Sequence, residues 1–148
     1  IESLCELGMS NIALHILSRT EYPSFGYMLE NGATTLWERF ELCESSHNHP
    51  MFGAVVGVMI RRFAGIQQKE GSAGYEDVLI SPALSCGLEW IDCTIPTPRG
   101  PLSVKWNHRK DGTLIQVQLP WGSHGTLKAG GQELEITGGV PFGYLASL

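Results

Sequence analysis

Paired cysteines, long apolar runs and basic clusters are all missing from this sequence, and each absence narrows what the chain can be. Its four cysteines, Cys5, Cys43, Cys86 and Cys93, stand singly with no C-x-x-C spacing. That pattern argues for free, mostly buried thiols and a cytoplasmic setting, and against a disulfide framework. The longest uncharged apolar stretch, Met51 to Ile60, falls well short of the roughly 20 residues a bilayer-spanning helix needs, so no membrane partner is expected. Charged residues make up 17%, below the roughly 25% of ordinary soluble domains, which excludes a disordered chain or a charged coiled coil. With a net charge of -5 and no basic stripe, a nucleic-acid backbone is excluded as the main partner. The phosphate-cradling glycine spacings, the G-x-S-x-G elbow and the H-E-x-x-H helix are absent as well.

What remains is an apolar globular sequence of 148 residues, 43% hydrophobic, long enough to bury about 70% of its unfolded surface. Ile1, Leu4 and Leu7 share a helical face that stops at Gly8, and nothing before Ile1 could cap that helix. Ser10 is the expected N-cap of a second helix through about Ser18, completing a helical hairpin. Thr20 to Ala33 carries Pro23, Gly26 and Gly32 and reads as a structured loop. A short helix is expected from Thr34 or Thr35 to about Leu42, then a polar interruption from Glu44 to Pro50. A third helix, Met51 to Ile66, is apolar or glycine on every side over its first ten residues, so it must be buried in something larger.

Beyond Gln67 the pattern becomes short strands separated by Gly, Pro, Asn and Asp, placing a domain boundary near residues 67 to 75. Strands are expected at Val78 to Ile80 and Leu88 to Ile95. Leu102, Val104 and Trp106 alternate with polar residues, as do Ile115, Val117 and Leu119, around a turn at His108 to Gly112; this predicts a hairpin with one buried face. Further strands at Gly125 to Ala129, Leu134 to Thr137 and Gly143 to Ala146 suit a β-sandwich. Trp90, Trp106 and Trp121 are expected as core or edge residues. The fold class is therefore α+β, with helices over residues 1–70 and an antiparallel β-sandwich over 71–148.

Chemistry concentrates between Tyr22 and Gly53, where Glu30, Glu38, Glu41, Glu44, His47 and His49 lie near Tyr27 and Trp37 on irregular segments. Carboxylates beside flat aromatic faces suit a sugar, and cleaving a glycosidic bond needs two carboxyl groups, one to protonate the leaving oxygen and one to activate water or attack carbon. Plainer roles compete. Thr35-Leu36-Trp37-Glu38 fits a capping box, in which Glu38 only returns a hydrogen bond to the Thr35 backbone. Trp37 beside an apolar helix fits a core residue. His47 and His49 have no third ligand nearby in sequence, so no metal site is expected.

The run YPSFGYMLENGATTLWERFE, followed by SHNHPMFGAV, closely resembles the α-L-rhamnosidases of glycoside hydrolase family 78 over Tyr22 to Val55, and the likeness extends more weakly through both flanks. The resemblance implies the last helices of an (α/α)6 catalytic barrel followed by a C-terminal β-sandwich. It implies that Glu38, the Glu of the TTxWE motif, is the general base activating water in an inverting hydrolysis of terminal α-L-rhamnosyl groups. His49, matching the family's S-x-N-H block, is implied to contact the sugar; Glu30, Trp37 and Asn48 are implied to support the site, while His47 takes no role. The implied partner is a rhamnose-containing glycoside or polysaccharide, and no cofactor is implied. The family's general acid lies upstream on a barrel loop, so a chain of this extent is expected to be a C-terminal fragment, inactive alone. GAVVGVMIRRF also departs from the polar residues and Trp that relatives carry after the G-x-V. The alternative is a noncatalytic carbohydrate-binding or accessory β-sandwich module, which would present exposed rings such as Trp90 or Trp121.

Overall fold

The computed structural model of the chain describes residues 1–41 and 43–147. The chain divides into two compact units, residues 1–59 with 85–87 and residues 60–84 with 88–148.

In the first unit, helices α1 (Glu2–Glu6) and α2 (Ser10–Leu17) form the expected hairpin. Gly8 makes its turn at φ +77, a conformation that a Cβ would strain. Ser10 is the first residue of α2 and does not cap it: Met9 occupies the N-cap and no side chain bonds there. Ala13 and Leu17 point into the interior. The segment read as a loop from Thr20 to Ala33 holds a helix, α3 (Phe25–Glu30). Its N-cap is Ser24, whose hydroxyl accepts from the Tyr27 N–H at 2.9 Å, satisfying one of the donors a helix start leaves open. Gly26 lets this helix approach the preceding chain, since a Cβ would lie 2.3 Å from the Arg19 carbonyl oxygen.

No helix follows from Thr35; Thr34 to Glu41 is irregular, and the expected end at Leu42 lies outside the described residues. The third helix is real but not uniform. It starts as a 3-10 turn (Pro50–Gly53), continues as α4 (Ala54–Val58) and widens to a π turn (Met59–Phe63), ending short of Ile66, which is already in a strand. Its expected burial is only partial: Val58 and Phe63 are buried, whereas Met51, Val56 and Met59 are exposed.

The second unit is built from eight strands: β1 (Ile66–Gln68), β2 (Asp77–Ile80), β3 (Trp90–Thr97), β4 (Gly100–Arg109), β5 (Gly112–Gln118), β6 (His124–Ala129), β7 (Gln132–Thr137) and β8 (Phe142–Ala146). They form two four-stranded sheets ordered β1-β2-β6-β7 and β3-β4-β5-β8. Every pairing is antiparallel except β2 with β6, where Val78 sits beside Gly125 and Ile80 beside Leu127 in parallel register. The predicted hairpin is present in β4 and β5, with Trp106 opposite Ile115 and Val104 opposite Val117.

Alternation gives each sheet one apolar face. Leu102, Val104, Trp106, Ile115 and Val117 are buried from one sheet, and Ile66, Val78, Ile80, Leu127 and Ile136 from the other. Trp106 is 1% exposed, and its indole N–H donates to the Phe63 carbonyl at 3.4 Å, so its one polar atom is satisfied in the core. Of the other two sandwich tryptophans, Trp90 on the edge strand β3 is 65% exposed and Trp121, between β5 and β6, is 82% exposed. All four cysteines are free; Cys86 is buried, Cys5 and Cys93 are half-buried, and Cys43 is exposed, against the expectation of burial. No helix among the described residues is long and apolar enough to cross a membrane.

Candidate active site

The site residues other than Glu30 lie on a loop of the first unit that doubles back on itself. The Glu38 N–H donates to the Ser46 carbonyl at 2.9 Å, and the His49 N–H donates to the Leu36 carbonyl at 2.8 Å. These two bonds lay residues 36–38 alongside 46–49. Side chains reinforce the ribbon: the Thr35 hydroxyl donates to the His47 carbonyl, and the Ser46 N–H donates to Glu38 Oε2 at 3.3 Å. The capping-box reading is thereby overturned. Thr35 and Glu38 spend their hydrogen bonds across the loop, on residues 46 and 47, and no helix begins between them.

Glu38 is half-buried with one carboxylate oxygen engaged; among the described residues nothing holds Oε1, which leaves it able to accept a proton from water. His49 is the N-cap of the 3-10 turn, its Nδ1 accepting from the Met51 N–H at 3.1 Å. That bond leaves Nε2 to carry the ring proton of the neutral imidazole and to donate outward. Trp37 is 3% exposed and stacks on the His47 ring, centroids 4.9 Å apart at 25°, so it packs the interior of the loop instead of offering an open platform. Asn48 is tied by its N–H to Ser46 Oγ at 3.3 Å. Glu30 ends α3 on the surface, and among the described residues no hydrogen bond ties it to the ribbon. Glu44 is likewise exposed.

Three interactions here escaped sequence reading. His47, given no role, braces Trp37 and bonds the Cys43 carbonyl through Nε2 at 3.2 Å. Phe25, Phe40 and Phe52 form an aromatic cluster, Phe40 and Phe52 stacked at 4.6 Å. The Tyr22 hydroxyl donates to Glu41 Oε1 at 2.8 Å, and that bond, with lesser desolvation, raises the Tyr22 phenol above its usual range. The YP and WERFE runs hold these residues, but only the fold shows that they meet. Among the described residues no group of three His, Cys, Asp or Glu could hold a metal ion.

Residues 65–140, over half of the chain, match the bacterial α-L-rhamnosidase C-terminal domain. The chain belongs to the α-L-rhamnosidase family. Residues 1–63 match the bacterial α-L-rhamnosidase six-hairpin glycosidase domain, so the rhamnosidase motifs and the helices fall in one module and the sandwich in the other. A similar curated relative, an α-L-rhamnosidase from Alteromonas sp., is 32% identical over 80% of this chain, which covers 14% of the relative. The α-L-rhamnosidase from Streptomyces avermitilis is 30% identical over 79% of this chain and 12% of its own length. Among solved structures, the α-L-rhamnosidase from Dictyoglumus thermophilum superposes with a TM-score of 0.77 at 32% identity, over 85% of this chain and 14% of that one. The chain thus spans about one-seventh of the rhamnosidases it matches.

Proposed function

We propose that this chain supplies the general base and a sugar-contacting histidine to an α-L-rhamnosidase that removes terminal α-L-rhamnosyl groups from glycosides or polysaccharides with inversion. The observation that carries the reading is the pair of backbone bonds, Glu38 to Ser46 and His49 to Leu36, which holds the two motif residues on facing sides of one ribbon in a chain of this family. The Streptomyces avermitilis relative was solved in complex with L-rhamnose, which supports the substrate class.

In this mechanism Glu38 Oε1 takes a proton from water as the oxygen attacks the anomeric carbon, while Oε2 stays anchored to the Ser46 N–H. The anchor fixes the carboxylate before the reaction, so little reorganisation accompanies proton transfer. His49 donates from Nε2 to a sugar hydroxyl, its ring held by the Met51 N–H. Inversion needs a second carboxyl about 6.5–9.5 Å from the first to protonate the leaving oxygen. That acid comes from barrel residues outside this chain, so the 148 residues alone do not turn over substrate.

The test is hydrolysis of p-nitrophenyl α-L-rhamnopyranoside by the native polypeptide carrying these residues. Glu38→Gln is expected to lower kcat by three orders of magnitude or more with little change in stability, and proton NMR of the wild-type product is expected to show the β-anomer first. Retained turnover in Glu38→Gln overturns the assignment; α-anomer as the first product overturns inversion.

A further inference from the structure

The outer face of the β3-β4-β5-β8 sheet is built like a binding surface and has no part in the chemistry proposed above. Register and alternation set its rows. Trp90 lies opposite Asn107, which lies opposite Leu114; Asp92 lies opposite Lys105, then Gln116, then Gly143; Thr94 lies opposite Ser103, then Gln118. A sheet face left to solvent is ordinarily studded with charge, which keeps it soluble and unattractive to partners. This one instead carries amides, hydroxyls and one large ring, with Leu114 and Leu145 closing the Trp90 row.

These three rows hold two charged groups, and these cancel: Lys105 Nζ donates to Asp92 Oδ2 at 2.7 Å, while Arg109 stands exposed one same-face step beyond Asn107, at the turn end of β4. The three rows themselves therefore carry no net charge. Among the described residues the side-chain amides of Asn107 and Gln116 have no protein partner, and each can donate and accept at once. Beside them runs a groove of about 320 Å³, lined by Ser103, Lys105, Gln116 and Gln118 with Val117, Pro141 and Phe142 as its apolar part. Gly143 extends the Gln116 row without a side chain, and a Cβ there would meet nothing within 4 Å, so the groove is open at that end. Trp90, 65% exposed, stands one same-face step along the strand from the Asp92–Lys105 pair, about 7 Å away by strand geometry.

We propose that this face binds a neutral polysaccharide chain. A pyranose has an apolar C–H face that fits the Trp90 indole and an edge of hydroxyls, each both donor and acceptor, that fits the Asn107, Gln116 and Gln118 amides. The next residue of the same glycan falls in the groove, where Lys105 and Asp92 bond hydroxyls without paying for an unbalanced charge. The surface thus holds the glycan with residues other than those of the Glu38 ribbon. The proposal does not depend on Glu38 being catalytic.

Affinity electrophoresis of the full chain in native gels tests it, with β-1,4-glucan, galactomannan and rhamnan as neutral polysaccharides and polygalacturonate as the anionic one. Retardation by at least one neutral polysaccharide is expected, with none by polygalacturonate. Trp90→Ala is expected to weaken it about tenfold or more, as loss of a central aromatic anchor does, and Asn107→Ala with Gln116→Ala to weaken it with Trp90 in place. Trp121→Ala, on the other exposed ring, is expected to migrate as wild type. Near-UV circular dichroism checks that each variant is folded. Three results overturn the proposal: no retardation by any neutral polysaccharide, which leaves the face to a protein partner; retardation by polygalacturonate alone; or retardation that survives both sets of substitutions or is lost in Trp121→Ala.

Discussion

The indole of Trp37 and the imidazole of His47 stack 4.9 Å apart, one buried and the other exposed, and so clamp the two sides of the ribbon that carries Glu38 and His49. His47 closes the same segment from its other ring edge through Nε2 and the Cys43 carbonyl. Its removal is expected to loosen the register of Glu38 against Ser46 while leaving every proposed reacting group in place. A displacement of about 1 Å at a catalytic group can cost 10²-fold in rate. His47→Ala in the native polypeptide is therefore expected to lower kcat/KM for an aryl rhamnoside between ten- and a hundredfold, and His47→Phe, which keeps a ring over Trp37, to recover most of it. Equal rates for wild type and His47→Ala would remove the clamp from the mechanism.

The bond from Tyr22 to Glu41 favours the neutral phenol in the folded chain. Its pKa is raised above the unfolded value of about 10, so whatever it adds to stability is complete below that pH and is lost as pH climbs through the folded value. Ultraviolet titration of tyrosinate absorbance is expected to show one tyrosine ionising late, and Glu41→Gln to move that step down. A titration unaffected by Glu41→Gln would show that the bond does not hold the proton in solution.

Cys93 is half-buried beside Asp92, and burial first, then the neighbouring carboxylate, raises its thiol. Because the thiolate is the reacting form, alkylation of Cys93 by iodoacetamide is expected to reach half its maximal rate above pH 9. Peptide-resolved mass spectrometry across a pH series reads this directly, and half-maximal labelling near pH 8 would contradict it.

Stability is expected to respond most strongly at Trp106. Truncating a buried aromatic to Ala costs about 3–5 kcal/mol, and here the Phe63 carbonyl also loses its donor. Chemical denaturation of Trp106→Ala should show that loss, whereas Ser24→Ala, which removes only the cap of α3, should cost about 1 kcal/mol. A smaller loss at Trp106 than at Ser24 would mean that the sandwich core is not where most of the stability lies.

The strands were legible because their signal is local. Period-two alternation around His108 to Gly112 predicted β4 and β5, and the turn residues between later apolar runs predicted β6 to β8. The site was less legible, and for a physical reason. Thr35 and Glu38 carry a sound capping-box spacing, yet their partners lie at residues 46 and 47, a long-range choice that no short window contains. α3 was hidden by Pro23, Gly26 and Gly32, although Ser24 stood in the right place to start it. β1 starts two residues after a helix, so its apolar Ile66 reads as the last residue of that helix and Gln67 and Gln68 as the start of a polar stretch.

The parallel pairing of β2 with β6 has a consequence for how the sandwich can come apart. After β2 the chain leaves its sheet, lays down three strands of the other sheet, and only then returns as β6 beside β2; later it crosses again to supply β8. The two sheets are stitched by the order of the thread itself. A nick between β3 and β6 leaves strands of both sheets on each side of the cut, so neither half retains an intact layer. Distant pairings of this kind also delay assembly, because the intervening loop must close before its contacts repay the lost freedom. The sandwich should therefore form late and as a whole, and resist piecemeal erosion by proteases once formed.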